Sequence, residues 1–313
     1  MTTFLAISFA ALVLNILIGM VANRFIVLFI CFDWFRRRKL SPTDLILCCL
    51  GLSRFIMQMI MILNTSVLSF AKHTYSQKYM WIIITTFWIF MNTLNLWFAA
   101  WLSVLYFVKV GIFSHPVLLQ MKRRFSRLVP WLLLGSVVFS AALTIITMTI
   151  SIYVFSETCF FYESLSHNSN SSAVEALNPC RYLPILLHSP SLIPFIVFLF
   201  SAIFLISSLW KHIRHLQSSG TGIKDLNTQV HLTAIKTLAS FAVLYLFSFV
   251  AVIVQPTVPL IHEHLWAITV FQNMSAMYLS GHAIILILVN PKLKQGFVRM
   301  LPHLKCCLCE ATS

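Results

Sequence analysis

Seven long apolar runs follow one another along this chain, and they constrain its fold more than any other feature. They cover about residues 4–30, 45–70, 80–108, 128–153, 182–210, 232–260 and 265–290. A helix that crosses a bilayer needs about 20 such residues, so each run is long enough to span a membrane. Membrane-spanning β-strands would be short and would alternate apolar with polar residues, and the sequence has no such pattern. The sequence therefore predicts an all-α membrane protein built as a seven-transmembrane helix bundle.

A single domain of this kind accounts for residues 1–313, with a short tail over 291–313 after the last run. Only 10% of the residues are charged, whereas soluble proteins contain about 25%, which argues against a soluble enzyme. The first run has no basic residue before it and is too long for a cleaved signal peptide. We therefore expect it to remain in the mature protein as the first span.

The basic residues predict the orientation of the bundle. They cluster after spans 1, 3 and 5 and in the tail, as in Arg36–Lys39 and Lys122–Arg124, whereas the opposite side holds Lys72, Lys78 and Arg181. The positive-inside rule places the basic side in the cytoplasm. The N-terminus is then extracellular and the C-terminus cytoplasmic. This asymmetry explains the net charge of +14 without a nucleic-acid partner.

The predicted orientation places Asn170-Ser171-Ser172, a glycosylation sequon between spans 4 and 5, in the secretory lumen. The alternative is that the sequon is unused. We expect glycosylation at Asn170, so digestion with an N-glycosidase should increase the gel mobility of the wild-type protein. The variant Asn170→Gln should already migrate at that position without digestion. Unchanged mobility in both experiments would contradict the sequon assignment and weaken the predicted orientation.

Two further groups of cysteines carry predictions that the sequence leaves open. Cys159 and Cys180 share the outer loop of Asn170 and could pair in an oxidising compartment. The tail contains a cluster that suits palmitoylation, although unmodified cytosolic thiols are the alternative. The members of this cluster are Cys306, Cys307 and Cys309.

Six short motifs, in order along the spans, resemble those of the type 2 taste receptors, the bitter taste receptor family. They are GMVANRFIVL with Asn23, LGLSRF with Arg54, NLWFAAWLSVLYFVKVGIFSHP with Tyr106, Lys109 and His115, LISSLWKHIRHLQ with His212, HLTAIKTLASFAVLY with Lys236, and GHAIILILVNPKLKQ with His282. Two positions depart from the family pattern, because Ala100 and Ala283 replace its usual Thr and Ser. The resemblance covers about residues 19–295.

The resemblance implies a G-protein-coupled receptor that senses extracellular bitter small molecules and activates a gustducin-type G protein. It also implies a multi-pass protein of the taste-cell plasma membrane, in contact with lipid and without a cofactor, and it leaves receptor oligomers open. The alternative function is a transporter or channel, which would need paired acids or broken helices within the membrane. The spans instead contain isolated basic residues, and we find no catalytic or metal-binding cluster that would indicate an enzyme.

Alignment with the family pocket makes Trp88 and Asn92 of span 3 the main candidates for ligand binding. Asn95 continues the same helix face, because these three residues are spaced i, i+4 and i+7. The remaining candidates, on spans 6 and 7, are Phe247, Ser248 and Gln272. No Asp or Glu lies in the outer half of a span, so apolar and neutral ligands are expected. Ordinary helix packing is the alternative role for each of these side chains.

A second set of residues is predicted to couple the pocket to the G protein. A charge in mid-bilayer costs a few kcal/mol, so Arg54 should face the bundle interior, with Asn23 and carbonyls of span 7 as expected partners. Tyr106 and Lys109 end span 3 on the cytoplasmic side. The family motifs add His115, His212, Lys236 and His282 to this set. The alternatives are a purely structural polar network and, for Lys236 and Arg24, side chains that extend to interfacial water.

Overall fold

The computed structural model describes residues 2–70, 78–110, 116–154, 183–218, 235, 239–251 and 265–300. Within these segments the chain is helical and contains no β-strand. The main helices are α1 (Thr2–Arg37), α2 (Pro42–Phe70), α3 (Lys78–Val110), α4 (Pro116–Val154), α5 (Leu192–Ser218), α6 (Ala239–Ala251) and α7 (Leu265–Val289). A short helix, Leu183–His188, and a 3-10 turn, Ser189–Ser191, precede α5, and a last helix covers 291–300.

Six of the described helices are long and apolar enough to cross a membrane, namely α1 to α5 and α7. Helix α6 is also apolar but shorter, and most of the other residues of the predicted sixth span lie outside the described segments. The prediction of an all-helical membrane bundle is confirmed. The two ends of the bundle are called outer and inner below, after the orientation that the basic residues predict.

The helix ends follow from local sequence signals. Ser41 precedes Pro42, and its hydroxyl accepts a hydrogen bond of 3.1 Å from the backbone N–H of Asp44, which caps α2. Asn290 begins the last helix in the same way, because its side-chain oxygen accepts from the backbone N–H of Lys292 at 3.0 Å. Arg38 has a φ of 54°, a left-handed conformation that ends α1. These signals turn the chain sharply at the inner end.

Two helices differ in extent from the apolar runs. Helix α4 begins at Pro116, whereas its apolar run begins at residue 128, so the basic stretch Lys122–Arg124 is helical and not part of a loop. Proline suits the first helical turn, and Lys and Arg are good helix formers that prefer water to lipid. The fifth run, in contrast, is divided by the turn Ser189–Ser191, which contains Pro190. Proline has no N–H to donate and disfavours helix in the residue before it.

Helix α1 lies along both α2 and α7, while α3 is packed between α2 and α5 and against α4. Gly19 permits the close approach of α1, because a β-carbon there would collide with the side chains of Gln58 on α2 and Ser280 on α7. Gly296 does the same for the last helix, where a β-carbon would collide with the Phe29 ring of α1. The apolar core follows α3 through the bundle, from Met91 to Val108. Two faces of α3 therefore contact other helices over most of its length.

Candidate functional site

The outer half of α3 presents polar side chains toward the start of α5. The amide Nδ2 of Asn92 donates a hydrogen bond of 2.9 Å to the hydroxyl of Ser191 in the 3-10 turn. Trp88 lies one helical turn farther out on α3, half-buried against the core. The break before α5 therefore places the hydroxyl of Ser191 beside the amide of Asn92. These groups form one side of a candidate ligand site.

Aromatic rings from α5 and α6 continue this site. The ring centroids of Phe195 and Tyr245 are 4.5 Å apart, and Phe249 stacks on Phe195 at 6.2 Å. Tyr245 also meets Tyr278 of α7 edge to face, with a centroid distance of 5.4 Å. Phe195, Tyr245 and Phe249 were not predicted as site residues from the sequence, because their runs contain many aromatic residues without a distinguishing pattern. The only sequence feature that could have indicated this part of the site was the presence of polar residues nearby.

Helix α6 shows which of the sequence-predicted residues face the site. Ser248 is buried, on the same side as Phe241 and Tyr245. Phe247 is 58% exposed and belongs to the outward face that recurs with helical spacing. The other members of that face are Val243, Leu246 and Val250. The structure therefore brings Ser248 toward the bundle but does not bring Phe247 there.

Gln272 is half-buried on the outer half of α7. The exposed face of this helix contains Met277, Ile284 and Leu288. With 100° of rotation per residue, Gln272 lies on the opposite side of the helix from these three residues. Its amide is therefore directed toward the interior of the bundle, at the level of the outer turns.

A buried polar network crosses the bundle one turn below Asn92. The guanidinium Nε of Arg54 on α2 donates a hydrogen bond of 3.0 Å to the amide oxygen of Asn95 on α3. The amide nitrogen of Asn95 in turn donates to the hydroxyl of Tyr278 on α7 at 2.9 Å. Arg54 and Asn95 are fully buried. Asn95, which the sequence placed in the ligand site, thus has both ends of its amide engaged between α2 and α7.

A neighbouring network links α1, α2 and α7, and it corrects one expectation. Asn23 was expected to bind Arg54, but its amide donates to the backbone oxygen of Gly19 at 2.9 Å and to Gln58 at 3.3 Å. Gln58 donates to the hydroxyl of Ser280 at 3.3 Å, which donates to the backbone oxygen of Asn15 at 2.8 Å. The side chain of Asn23 is short, and it contacts α2 at Gln58, which lies one helical turn from Arg54.

Aromatic side chains surround the guanidinium group of Arg54. Its central carbon lies 5.4 Å from the ring centroid of Tyr278 and 6.0 Å from that of Phe241. Such contacts contribute roughly 0.5–2 kcal/mol. The ring of His282, which is buried, packs against Phe241 at 4.2 Å between centroids. The structure therefore joins Arg54 and His282, two of the predicted coupling residues, through Phe241.

The inner end of the bundle holds an ion cluster. The ammonium group of Lys292 binds Asp33 of α1 at 2.8 Å and Asp44 of α2 at 2.6 Å, and Asp33 also binds Arg37. Burial lowers the pKa of Lys292, but the hydrogen bonds and charges of the two carboxylates outweigh it, so this pKa is raised. Tyr106 is half-buried at this end of α3, within electrostatic reach of Asp44. This cluster was not predicted from the sequence, since charges next to spans resemble ordinary loop charges.

We expect Lys292→Gln to lower the thermal stability of the purified receptor by about 1–2 kcal/mol, because two carboxylates then face each other without a cation. The exposed neighbour Lys294 provides a control, since Lys294→Gln removes the same charge without breaking an ion pair that the structure describes. The raised pKa of Lys292 means that its contribution is complete below the ordinary value of 10.5 and is lost only as pH rises above it. The stability difference should therefore stay constant from about pH 6 to 9. Equal unfolding midpoints for the two variants would contradict the assignment.

Several predicted residues fall outside the described part of the structure. Lys109 and His212 are on the helical backbones of α3 and α5, but their side chains are not described. The others lie outside the described residues altogether, and they are His115, Cys159, Asn170, Cys180, Lys236, Cys306, Cys307 and Cys309. The roles that the sequence predicts for these residues stay predictions.

A groove of about 250 Å³ lies between α3 and α4, on the opposite face of α3 from Asn92. Its walls include Trp97, Trp101, Trp131 and Phe139, and the indole N–H of Trp101 donates to Ser136 at 2.8 Å. The groove is therefore separate from the site between α3, α5, α6 and α7. Among the described residues, no group of three or more His, Cys, Asp or Glu side chains is placed to hold a metal ion.

Comparison of the sequence with known proteins gives a family match over nearly the whole chain. The family model described as taste receptor protein (TAS2R) matches residues 1–305. Taste receptor type 2 member 8 of Gorilla gorilla gorilla is 33% identical over 287 residues, which cover 91% of this chain and 92% of that protein. Taste receptor type 2 member 41 of Rattus norvegicus is 36% identical over 290 residues, with 92% and 93% covered. The member 41 protein of Pan troglodytes is 35% identical over 306 residues, 96% of each chain.

Proposed function

Because the chain belongs to the type 2 taste receptor family of G-protein-coupled receptors, we propose that it binds bitter compounds at its outer end and activates a gustducin-type G protein at its inner end. The receptor acts in the plasma membrane, with its N-terminus outside the cell. The observation that carries this proposal is a connected set of contacts that runs from Phe195 of the outer site to Arg54. Its links are Phe195–Tyr245, Tyr245–Tyr278, Tyr278–Asn95 and Asn95–Arg54. This set joins the outer site to the core of α2, α3 and α7.

The proposed ligand site lies among Trp88, Asn92, Ser191, Phe249 and Gln272. It combines aromatic surfaces with amide and hydroxyl groups, which is typical of sites for drug-sized organic molecules. Its described side chains carry no formal charge. Neutral and apolar compounds therefore bind without leaving a buried charge unpaired, and a cation gains only the weak attraction of the aromatic faces. Phe247 is not part of this site, because it faces away from the bundle.

The signal is proposed to pass through Tyr245 and Tyr278. Tyr245 touches Phe195 on α5 and Tyr278 on α7, and Tyr278 accepts the hydrogen bond of Asn95. An agonist that binds the active arrangement of α5 and α6 more tightly than the resting one shifts the population toward it. Such a shift moves Tyr278 relative to Asn95, which changes how α2, α3 and α7 are held together. The inner ends of the helices then adopt the arrangement that the G protein recognises.

The inner surface is proposed to bind the G protein through its basic residues. Tyr106 and Lys109 end α3 there, and Arg124 and Arg127 are exposed on the inner part of α4. His115, His212 and Lys236 belong to the same side in the predicted orientation. A positive surface attracts acidic groups of a partner and the anionic lipids of the cytoplasmic leaflet. Receptor oligomers are compatible with this arrangement.

The proposal is tested by calcium release in cells that express the receptor together with a gustducin α-subunit coupled to phospholipase signalling. A panel of bitter compounds should include some that release calcium only when both proteins are present. Cells with the receptor alone and cells with the G protein alone are the controls. A compound-dependent ion flux that persists without the G protein would instead support a channel or transporter. Surface expression with no response to any compound would contradict a bitter receptor of this coupling type.

We expect Gln272→Glu to make basic agonists about threefold to tenfold more potent relative to neutral ones. The substitution supplies a carboxylate in a half-buried position, and an ion pair there is worth about 0.5–1.5 kcal/mol. The control is Gln272→Met, which removes the amide without adding charge and should affect both classes alike. The measurement is the ratio of half-maximal concentrations for a basic and a neutral agonist. An unchanged ratio in Gln272→Glu would exclude Gln272 from the ligand site.

A further inference from the structure

The guanidinium group of Arg54 carries a charge that the described protein does not neutralise. The side chain is fully buried, and its Nε atom donates to the amide oxygen of Asn95. Both terminal nitrogens, Nη1 and Nη2, are buried without a partner among the described protein groups. Leaving such donors unpaired in a low-dielectric interior is costly, and it is more so when the group is charged. Arg54 therefore requires a further polar or charged neighbour.

Among the residues that the structure describes, no carboxylate lies beside Arg54. The two described acidic residues, Asp33 and Asp44, both bind Lys292 at the inner end. The other six acidic residues of the sequence lie in loops or in the tail, outside the predicted spans. These are Glu157, Glu163, Glu175, Asp225, Glu263 and Glu310. The counter-charge of Arg54 must therefore come from something other than an acidic side chain of a span.

Two more unpartnered polar atoms lie around the same rings. The hydroxyl of Tyr245 and the Nδ1 atom of His282 are buried without a partner among the described groups. Tyr245 packs on Tyr278 and His282 packs on Phe241, and these two rings are the ones that flank the guanidinium. A hydroxyl can donate, and so can Nδ1 in the tautomer that carries its proton. Four potential donors from α2, α6 and α7 thus belong to residues that contact the same two rings, Phe241 and Tyr278.

We propose that Arg54, Tyr245 and His282 form a buried binding site for a small monovalent anion, with chloride as the physiological ligand. A set of donors next to an uncompensated cation suits an anion better than water, because an anion accepts from all of them and also neutralises the charge. The bound anion joins α2, α6 and α7, and it holds Tyr245 and His282 in place. This site borders the proposed agonist site at Tyr245, whose ring contacts Phe195.

The test measures thermal unfolding of the purified full-length receptor without agonist, at constant ionic strength, while gluconate is replaced stepwise by chloride. Gluconate is too large for a site of this kind. A ligand that binds only the folded state raises the unfolding midpoint, by an expected 2–4 °C or so when chloride is about tenfold above its dissociation constant. The rise should be saturable. A midpoint that does not change on this exchange would overturn the proposal.

Single substitutions test whether the chloride-dependent rise of the unfolding midpoint arises at the proposed anion site. Arg54→Gln should abolish the chloride-dependent shift, whereas Arg24→Gln, which removes an exposed arginine from α1, should keep it. Tyr245→Phe removes one donor without changing charge and should raise the apparent dissociation constant for chloride several-fold. If Arg54→Gln does not fold, Tyr245→Phe decides, and an unchanged chloride titration in that variant would contradict the site. Because no agonist or G protein is present, failure of the proposed taste function leaves this result unaffected.

Discussion

Replacing Trp88 with alanine is expected to raise the agonist concentration for half-maximal signalling by about tenfold to 100-fold, at matched surface expression. A tryptophan side chain buries roughly 150–250 Å², and at about 25 cal/mol per Å² a partial contact with the ligand is worth about 1.5–3 kcal/mol. Trp88 is half-buried on the outer half of α3, one turn above Asn92 and its bond to Ser191. The loss should be greatest for flat, apolar agonists, which use the indole surface most.

The matched control is Trp131→Ala. Trp131 is 72% exposed on α4, next to the groove with Trp97 and away from the proposed ligand site. This variant loses the same side chain and should keep the agonist potency of the wild type. Asn92→Ala should reduce potency by a smaller factor, since it removes one neutral hydrogen-bonding group. Unchanged curves for every agonist in Trp88→Ala would place the ligand elsewhere.

Arg54→Met is expected to abolish agonist-driven signalling while the receptor still reaches the cell surface. Methionine retains much of the volume and removes a charge whose burial costs about 2.5–3.5 kcal/mol on insertion scales. It also removes the bond to Asn95, which leaves one amide oxygen unpaired at a cost of about 1–3 kcal/mol. These two effects act on stability in opposite directions. The link between α2 and the pair Asn95–Tyr278 is nevertheless lost, and with it the proposed path of the signal.

Arg24→Met provides the comparison, because it makes the same substitution at an exposed position of α1. It should signal normally. Calcium release and surface labelling are measured on the same cells, so that loss of signal is separated from loss of protein. A full maximal response in Arg54→Met would show that the Arg54–Asn95–Tyr278 network serves only packing. The chloride titration of the purified receptor tests the anion site independently of this signalling result.

Much of the architecture could be predicted from the sequence. The apolar runs located the spans, since burial of about 20 residues in lipid leaves few alternatives to a helix. Polar residues within those runs were equally informative. Asn92, Asn95 and Arg54 interrupt long apolar stretches, and a polar group in lipid is costly enough to predict that it faces the interior. The structure places Arg54, Asn95 and His282 in the buried core.

The partners of these residues depended on the tertiary structure. The sequence predicted that Arg54 is inside but not that it binds Asn95 in place of Asn23, because that choice depends on which helices are adjacent and at what height. Phe247 and Phe249 are equally apolar, and only the rotation of α6 directs one to lipid and the other to Phe195. Likewise Asp33, Asp44 and Lys292 are far apart in sequence and meet because α1, α2 and the last helix end together. Hydrophobicity specifies that a segment is buried in the membrane, whereas contacts between helices are set by shape and geometry across the whole bundle.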